Sequence, residues 1–545
     1  MHATHAPATP CATYRLMLTA VTATLLFPAS AYCVTDPIQR LLDLQLRKGI
    51  ITQAEYDEFM TVSKLDNPPP GNKDDPAPSI QHGTNAVANA TNGEEQSGTT
   101  VFRSETTRVE VFGTVDLAIG YTSKSLVPSG EMPTTVGPWV TSGVKVPASN
   151  PSAMTAQTGL FNGSLSPSSW GIRAARSIGP DGLNAFILLD SAFNPATGQL
   201  TDQAHNQAAN GGKYPTTTYA TSALNGQIFS REAYLGLSSE NWGRITFGRN
   251  NNLIQDVLTR YAPLQKASML TPYGNGVLGG GGGISENSRV DYSIKYQNRI
   301  GNSNFAIMQG LGGVGGLRKG AAGTAMNLGY DNGRLGIQVV LERFRDLLKT
   351  STTGCYDTAC NAPNPNNQIS LTAYDQRAAL LALKYRINDA TRIQIGLQAA
   401  KLEAPTDDPN ITHIQSIYDQ VVFASTAYNG TPVRMTISHV GIDHDLSDKW
   451  NIGSAYVYVR MPAWGGFSNA HATQAGGGLN LPTSSTSFAG GDLATLTFLT
   501  TYRLLKDTDL YGGLLFTRYG GAAFSDPSKY VQSITTAATG LRFRF

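Results

Sequence analysis

Stretch after stretch of this chain alternates apolar and polar residues with a period of two. In "VEVFGTVDLAIGY", Val109, Val111, Gly113, Val115, Leu117, Ile119 and Tyr121 share one face, and Glu110, Thr114 and Asp116 the other. "RIQIGLQAA" sets Ile393, Ile395 and Leu397 against Arg392, Gln394 and Gln398. "RLGIQVVLE" sets Leu335, Ile337, Val339 and Leu341 against Gln338 and Glu342. Successive side chains of a strand point to opposite faces, so the pattern specifies an antiparallel sheet with one apolar side. The sequence ends in the same way: in "TGLRFRF", Leu541, Phe543 and Phe545 oppose Arg542 and Arg544. A strand apolar on one side and doubly cationic on the other suits a wall between lipid and water.

The connections alternate too. Tight ones include "GPDG" (179–182), "ENWG" (240–243), "YDNG" (330–333), "NDAT" (388–391), "LSDKW" (446–450) and "KDTD" (506–509). Between them lie long polar segments of roughly 12 to 45 residues, and short turns on one rim with long loops on the other mark an outer-membrane barrel. The strand count comes to about 16, an even number as such a barrel requires. A propeller would need blade repeats, and a sandwich loops of similar length at both ends. The expected fold is therefore all-β, a transmembrane 16-stranded antiparallel β-barrel over residues 101–545, with Phe543 and Phe545 at the lipid interface and Arg542 and Arg544 facing a wet lumen.

Composition agrees with this reading. Charged residues are 15% and formal net charge is +2, which offers nucleic acid no bulk attraction. Beyond the N-terminus no apolar run reaches the roughly 18 residues of a membrane helix. Residues 1–31 read as an export signal: Arg15 precedes the apolar "LMLTAVTATLLFPASA", which ends in the small-residue site Ala29-Ser30-Ala31. Tyr32 is too bulky for the small residue that a lipid-modified Cys33 needs before it. Residues 32–66 read as two short amphipathic helices, a hairpin that Gly49 punctuates and a Thr52/Glu55 capping box restarts. Residues 67–100, rich in Pro, Asn, Gly and Thr, read as a disordered linker. An exported chain meets oxidising conditions, and Cys355 and Cys360 in "CYDTAC" are close enough to bridge. Zinc is the rival, and with no His nearby a loop-stapling disulfide fits better.

From about residue 108 onward the chain resembles the trimeric general porins of Gram-negative outer membranes. "VEVFGTVDLAIGY" is similar to the opening strand of that family, and "SSWGIRAARSIGPDGLNAFILLDSAFNPATG" to its second and third. "FSREAYLGLSSENWGRITFGRNNNLIQDVL" resembles strands four and five running into the constriction loop, and "TTYRLLKDTDLY" with "GLRFRF" the closing hairpin and last strand. The resemblance implies a homotrimer of water-filled channels in the outer membrane. Its implied partners are membrane lipids, lipopolysaccharide, the barrel-assembly machinery that reads the C-terminal Phe543 and Phe545, and small hydrophilic solutes. A third external loop, about 250–287, would fold inward and narrow each pore. Carried over by position, the wall contributes Arg173, Arg231, Arg289 and Asp190, and the loop Asp256 and Glu286. Ser169 stands where the family usually has another arginine, Thr114 where some members have lysine, and the loop's middle holds Lys266 in place of an acidic pair.

Strand parity gives a second view of these arginines. Arg289 shares a face with Asp291, Ser293 and Lys295, opposite Val290, Tyr292 and Ile294, and so points inward. Arg173 opposes Trp170 and Ile172 likewise. Both faces of "REAYLGL" mix polar and apolar residues, which is expected where the outer wall packs on a neighbouring subunit. The expectation is a narrowed, polarised pore with a weak anion preference. No G-x-S-x-G or H-E-x-x-H occurs, and His439 and His444 have opposite parity and read as isolated surface residues. No enzyme, cofactor, metal or nucleic-acid partner is expected. Two alternatives stay open: a channel specific for sugars or phosphate, and a plugged barrel serving as adhesin or anchor.

Overall fold

The computed structural model describes residues 98–126, 154–179, 182–196, 198, 228–265, 289–312, 322–352, 368–406, 422–427, 432–462, 473–474, 491–521 and 533–545. The export signal, the helical segment at 32–66, the linker as far as residue 97, Lys266, Glu286, Cys355 and Cys360 lie outside the described residues; residues 98–100, read as linker, instead pair with the barrel as strand. A single sheet holds every described strand. It begins with β1 (Gly98–Arg103), β2 (Thr107–Leu126), β3 (Met154–Asn162), β4 (Ser169–Ser177), β5 (Asn184–Ala192), β6 (Glu232–Ser239) and β7 (Gly243–Asn251). A helix, α1 (Leu253–Tyr261), and a 3-10 turn (Pro263–Gln265) follow. The sheet resumes with β8 (Arg289–Ile300), β9 (Ser303–Gly310), β10 (Gly323–Asp331), β11 (Leu335–Thr352), β12 (Gln368–Arg386) and β13 (Thr391–Glu403). It ends with β14 (Val422–Ala427), β15 (Val433–Asp445), β16 (Trp450–Met461), β17 (Thr473–Gln474), β18 (Gly491–Leu505), β19 (Thr508–Gly521) and β20 (Ser533–Arg544).

The pairings resolve into a closed antiparallel barrel of 16 staves, as the alternation and turns predict. β3 and β4 make one interrupted stave, because both lie on the same edge of β2, with Leu117 opposite Asn162 and Thr114 opposite Ser169. β1, β14 and β17 are short additions; β14 runs parallel to the start of β12. β20 closes the ring on β2, from Thr114 opposite Arg544 to Thr122 opposite Thr536. Phe545 adds two backbone hydrogen bonds with Gly113, of 2.9 and 3.0 Å. One rim carries the tight turns, and the structure adds Gly301-Asn302 between β8 and β9 to those read from sequence.

Alternation sorts the two faces as expected. On β11, Gln338, Val340 and Glu342 are buried while Val339 and Leu341 are exposed. The buried face is the inner one, since α1 packs against it. Outward stand Ile119, Leu160, Leu235, Phe247, Leu328, Leu397 and Leu541, all exposed. Such a continuous apolar surface is unfavourable in water and satisfied by lipid. Aromatic pairs mark the short-turn rim: Trp450 with Tyr502, Tyr296 with Phe305, and Phe543 stacked on Phe545 with ring centroids 6.1 Å apart. Arg542 and Arg544 turn inward, and both pair with Asp509. His439 departs from the surface reading. It is buried on the inner wall, its ring filling the space where Gly396 has no Cβ. His444 is hydrogen-bonded through Nδ1 to Thr391 Oγ1 at 3.0 Å.

Candidate functional site

Helix α1 lies inside the barrel, and its sequence accounts for its bounds. Asn252 caps it, its side-chain oxygen accepting from Gln255 N at 2.7 Å. Asp256 sits in the first turn and Arg260 in the last, as the helix dipole favours. Ala262 is extended, as a residue before proline prefers, and ends the helix. The apolar face of Leu253, Ile254, Val257, Leu258 and Tyr261 is shut away against inward side chains of the wall.

Polar anchors fix the helix at both ends. Lys295 of β8 donates to Asp256 Oδ2 at 2.8 Å and to Asn251 O at 3.1 Å, and both side chains of the ion pair are dry. Gln297 Nε2 reaches the same carboxylate at 3.3 Å. Burial raises the Asp256 carboxyl above the usual carboxylate range, and the Lys295 ammonium opposes that shift. At the other end Tyr261 donates to Asp331 Oδ2 at 2.7 Å and accepts from Gln338 Nε2 at 3.1 Å. Burial pushes the Tyr261 phenol up to about 12, so it keeps its proton and remains a donor. Lys384 Nζ stands 4.8 Å from the centre of the Tyr261 ring and 3.2 Å from Asp331.

Wall glycines admit this close approach. A Cβ on Gly336 would lie 2.5 Å from Tyr261 Oη, one on Gly441 2.7 Å from Pro263 Cβ, and one on Gly453 2.4 Å from Leu264 Cδ2. Side chains at these three inward positions would push the loop off the wall.

Beside the start of α1, charged residues gather at the ends of β5, β6, β7 and β8. Arg231 Nε bonds Asp190 Oδ2 at 2.7 Å. Arg249 reaches Asp291 at 2.5 Å and Ser230 O at 3.0 Å, and Glu232 accepts from Asn251 N at 3.2 Å. Arg289 is buried within the fields of Arg231, Arg249, Glu232 and Asp190. Among the residues expected from sequence, Asp190, Arg231 and Arg289 are thus brought together. Arg173 also points inward, but it is shut into a pair with Glu110 at 2.5 Å and lies over the Phe112 ring. Asp256 is bound back to the wall by Lys295.

Two readings of parity are corrected. β8 carries a bulge opposite Gly248–Asn250, with Tyr292 at φ 49, so Val290 is buried on the inner side and not turned outward. The blurred faces around Arg231 have an internal cause: Phe112, Phe186, Leu188 and Tyr234 form an apolar cluster on the inner wall. Arg244 lies 5.4 Å from the Phe186 ring centre and donates to Tyr234 Oη at 3.2 Å. Arg249 and Glu232 were not singled out by sequence; parity puts Arg249 on the outward face of Phe247, and the register shift between Gly248 and Asn250 is what lets it turn in and be buried. Among the described residues no cluster of His, Cys, Asp or Glu is placed to hold a metal.

Comparison with known proteins gives a consistent result. The family described as Gram-negative porin matches residues 83–522. An outer membrane porin protein of Bordetella pertussis is 27% identical over 191 residues, which is 35% of this chain and 39% of that relative's own length. Among solved structures, the anion-selective porin from Comamonas acidovorans is 16% identical, with a TM-score of 0.49, over 81% of this chain and 100% of that one. The outer-membrane OmpT of Vibrio cholerae is 12% identical, with a TM-score of 0.47, over 82% of this chain and 99% of that one.

Proposed function

The chain belongs to the Gram-negative porin family, and on that premise we propose that it forms a passive, water-filled channel for small hydrophilic solutes and ions, narrowed by its inward-folded third loop. The observation that carries the reading is α1, held inside the barrel by Asp256 at one end and Tyr261 at the other. A loop fixed there occupies part of the lumen cross-section, with the charged cluster of β5–β8 beside its first turn. In this reading Arg231, Arg289 and Asp190 polarise the pore, Arg173 braces the wall, and Asp256 holds the loop. Glu286 adds an acid to the same loop. Cys355 and Cys360 staple an external loop, and Phe543 with Phe545 forms the assembly signal. The functional unit is a homotrimer among outer-membrane lipids and lipopolysaccharide, with residues 32–66 in the periplasm.

Planar-bilayer recording tests the reading. Correctly folded protein should insert as discrete conducting steps, with reversal potentials in a salt gradient that report its ion preference. A second reading, a plugged barrel serving as adhesin or anchor, draws on Val340, Leu380, Ile437 and Val459. These apolar side chains face inward and are buried in one cluster with α1, so that part of the lumen is filled. Folded protein that passes no current would favour it.

A further inference from the structure

Half-way along β2 the wall does something that no strand alternation requires. Between Leu117 opposite Asn162 and Thr114 opposite Ser169, only Val115 and Asp116 stand on one side, while residues 163–168 stand on the other. The surplus chain is pushed inward and not out into lipid, because it gathers around an inward side chain. Asp116 Oδ2 accepts from Leu165 N at 2.9 Å and from Ser166 N at 2.6 Å. Its backbone bonds Gly163 N at 3.0 Å and Ser168 Oγ at 3.0 Å. Tyr511 of β19 donates to the other carboxylate oxygen, Oδ1. A buried carboxylate is tolerated when its lone pairs are filled by such donors. Gly163, at φ 68, turns the chain inward, and Pro167, which has no N–H for a ladder, keeps it from pairing as a strand.

Leu165 at the tip is fully buried. It belongs to one apolar belt with Leu264 beside α1, joined through Ala455 of β16, Leu499 of β18, Tyr511 and Leu515 of β19, Ala538 of β20 and Ala118 of β2. The third loop reaches the wall from β8, through Lys295, to β16, through Leu264. The inward bulge takes up where it stops.

We propose that residues 163–168 are a second constriction element, closing over β18–β20 and β2 the collar that the third loop begins, with Asp116 as its positioning residue. The inference rests on the channel reading above. The pore is then lined on one side by a wall segment, and its width depends on a residue that no loop variant touches.

The test uses the full-length protein in planar bilayers, with Ser166→Cys exposed to a cationic methanethiosulfonate reagent and the unsubstituted protein, which has its own cysteines, treated identically. Mass spectrometry should show one added label, and the open-channel current should fall by roughly a third as bulk and charge enter the narrow zone. Asp116→Ala should release the bulge, raising conductance about 1.5-fold and admitting larger sugars in liposome swelling, with Asp116→Asn partly restoring the wild-type limit. A labelled Ser166→Cys protein with unchanged current overturns the proposal, as does failure to label, or a folded Asp116→Ala barrel with wild-type conductance. If Asp116→Ala does not fold, the Ser166→Cys current decides alone. A silent unsubstituted protein refutes the channel reading instead.

Discussion

Lys295 and Asp256 form an ion pair, Nζ to Oδ2 at 2.8 Å, in which both side chains are closed to solvent. One partner belongs to a stave and the other to the loop helix, so the pair is a fastening between wall and loop. Removing one member leaves the other as an unpaired buried charge, at a cost of about 3–5 kcal/mol. Asp256→Ala should therefore free the loop without unfolding the barrel, giving larger and noisier single-channel currents and new proteolytic cleavage within residues 250–287. The double change Lys295→Met with Asp256→Leu should return to quiet, wild-type currents, because an apolar pair of similar volume avoids the desolvation cost. If the single variant stays quiet and uncleaved, the pair does not hold the loop.

The arginines should divide into two kinds. Arg231, Arg249 and Arg289 stand with Asp190, Glu232 and Asp291, equal numbers of each sign, so this cluster carries no net formal charge. Arg289→Gln tips that balance, and the reversal potential should move toward cations in dilute salt. The shift should shrink in concentrated salt, where the Debye length falls from roughly 10 Å at 0.1 M to about 3 Å at 1 M. Arg173→Gln should leave selectivity where it was and lower stability instead, because it leaves the buried Glu110 with only the more exposed Arg108 to balance its charge. Equal selectivity shifts from both variants would show that Arg173 also sees the pore.

Barrel closure should depend on a missing side chain. A Cβ at Gly113 would stand 2.4 Å from the Phe545 ring and 2.8 Å from Ser169 O. Gly113→Ala should thus strain the seam where β20 meets β2, by about 1–3 kcal/mol. Lost heat-modifiable mobility on gels, or slower refolding into detergent, would report it. Adding Phe545→Ala should recover part of the loss and not all, since the backbone carbonyl remains in the way. Full folding of Gly113→Ala at the wild-type rate would contradict this account.

How much of this was legible in the sequence depends on which interactions follow from parity. Facing follows directly: Gln338 in and Leu341 out need only a period of two, and the same holds for Arg542 and Phe543. Partners do not follow. Parity turns Lys295 inward but cannot say that Asp256, distant in sequence, meets it there. Parity also fails where extra residues enter a strand, as at Val290 and at 163–168, although Gly163 and Pro167 were visible signs of a break. It misleads where the inner face is itself apolar. Phe186 and Tyr234 point inward, so the polar-in rule blurred around Arg231 for a reason inside the barrel. His439 was misread for a related reason: a lone polar residue on a strand looks like a surface residue until the loop that covers it is placed.

The homotrimer still has a physical motive once that blur is explained away. β5, β6 and β7 run 9, 8 and 9 residues, as short as β9 and β10 at 8 and 9, against 18 and 19 in β11 and β12 across the barrel. At about 3.3 Å per residue and a tilt near 40°, 8 residues rise roughly 20 Å, short of the ~25 Å apolar band of such barrels. The outer face there, with Ile187, Leu235, Leu237 and Phe247 exposed, is apolar but too low to seal against lipid alone. Closed rotational symmetry would set this low apolar wall of several copies against each other. Mass measurement in mild detergent should give three chains, and Leu235→Lys with Phe247→Lys should reduce this to one while the barrel stays folded. Deleting residues 32–97 should leave the trimer intact; if that deletion yields monomers instead, association resides in the N-terminal segment and the low wall serves another purpose.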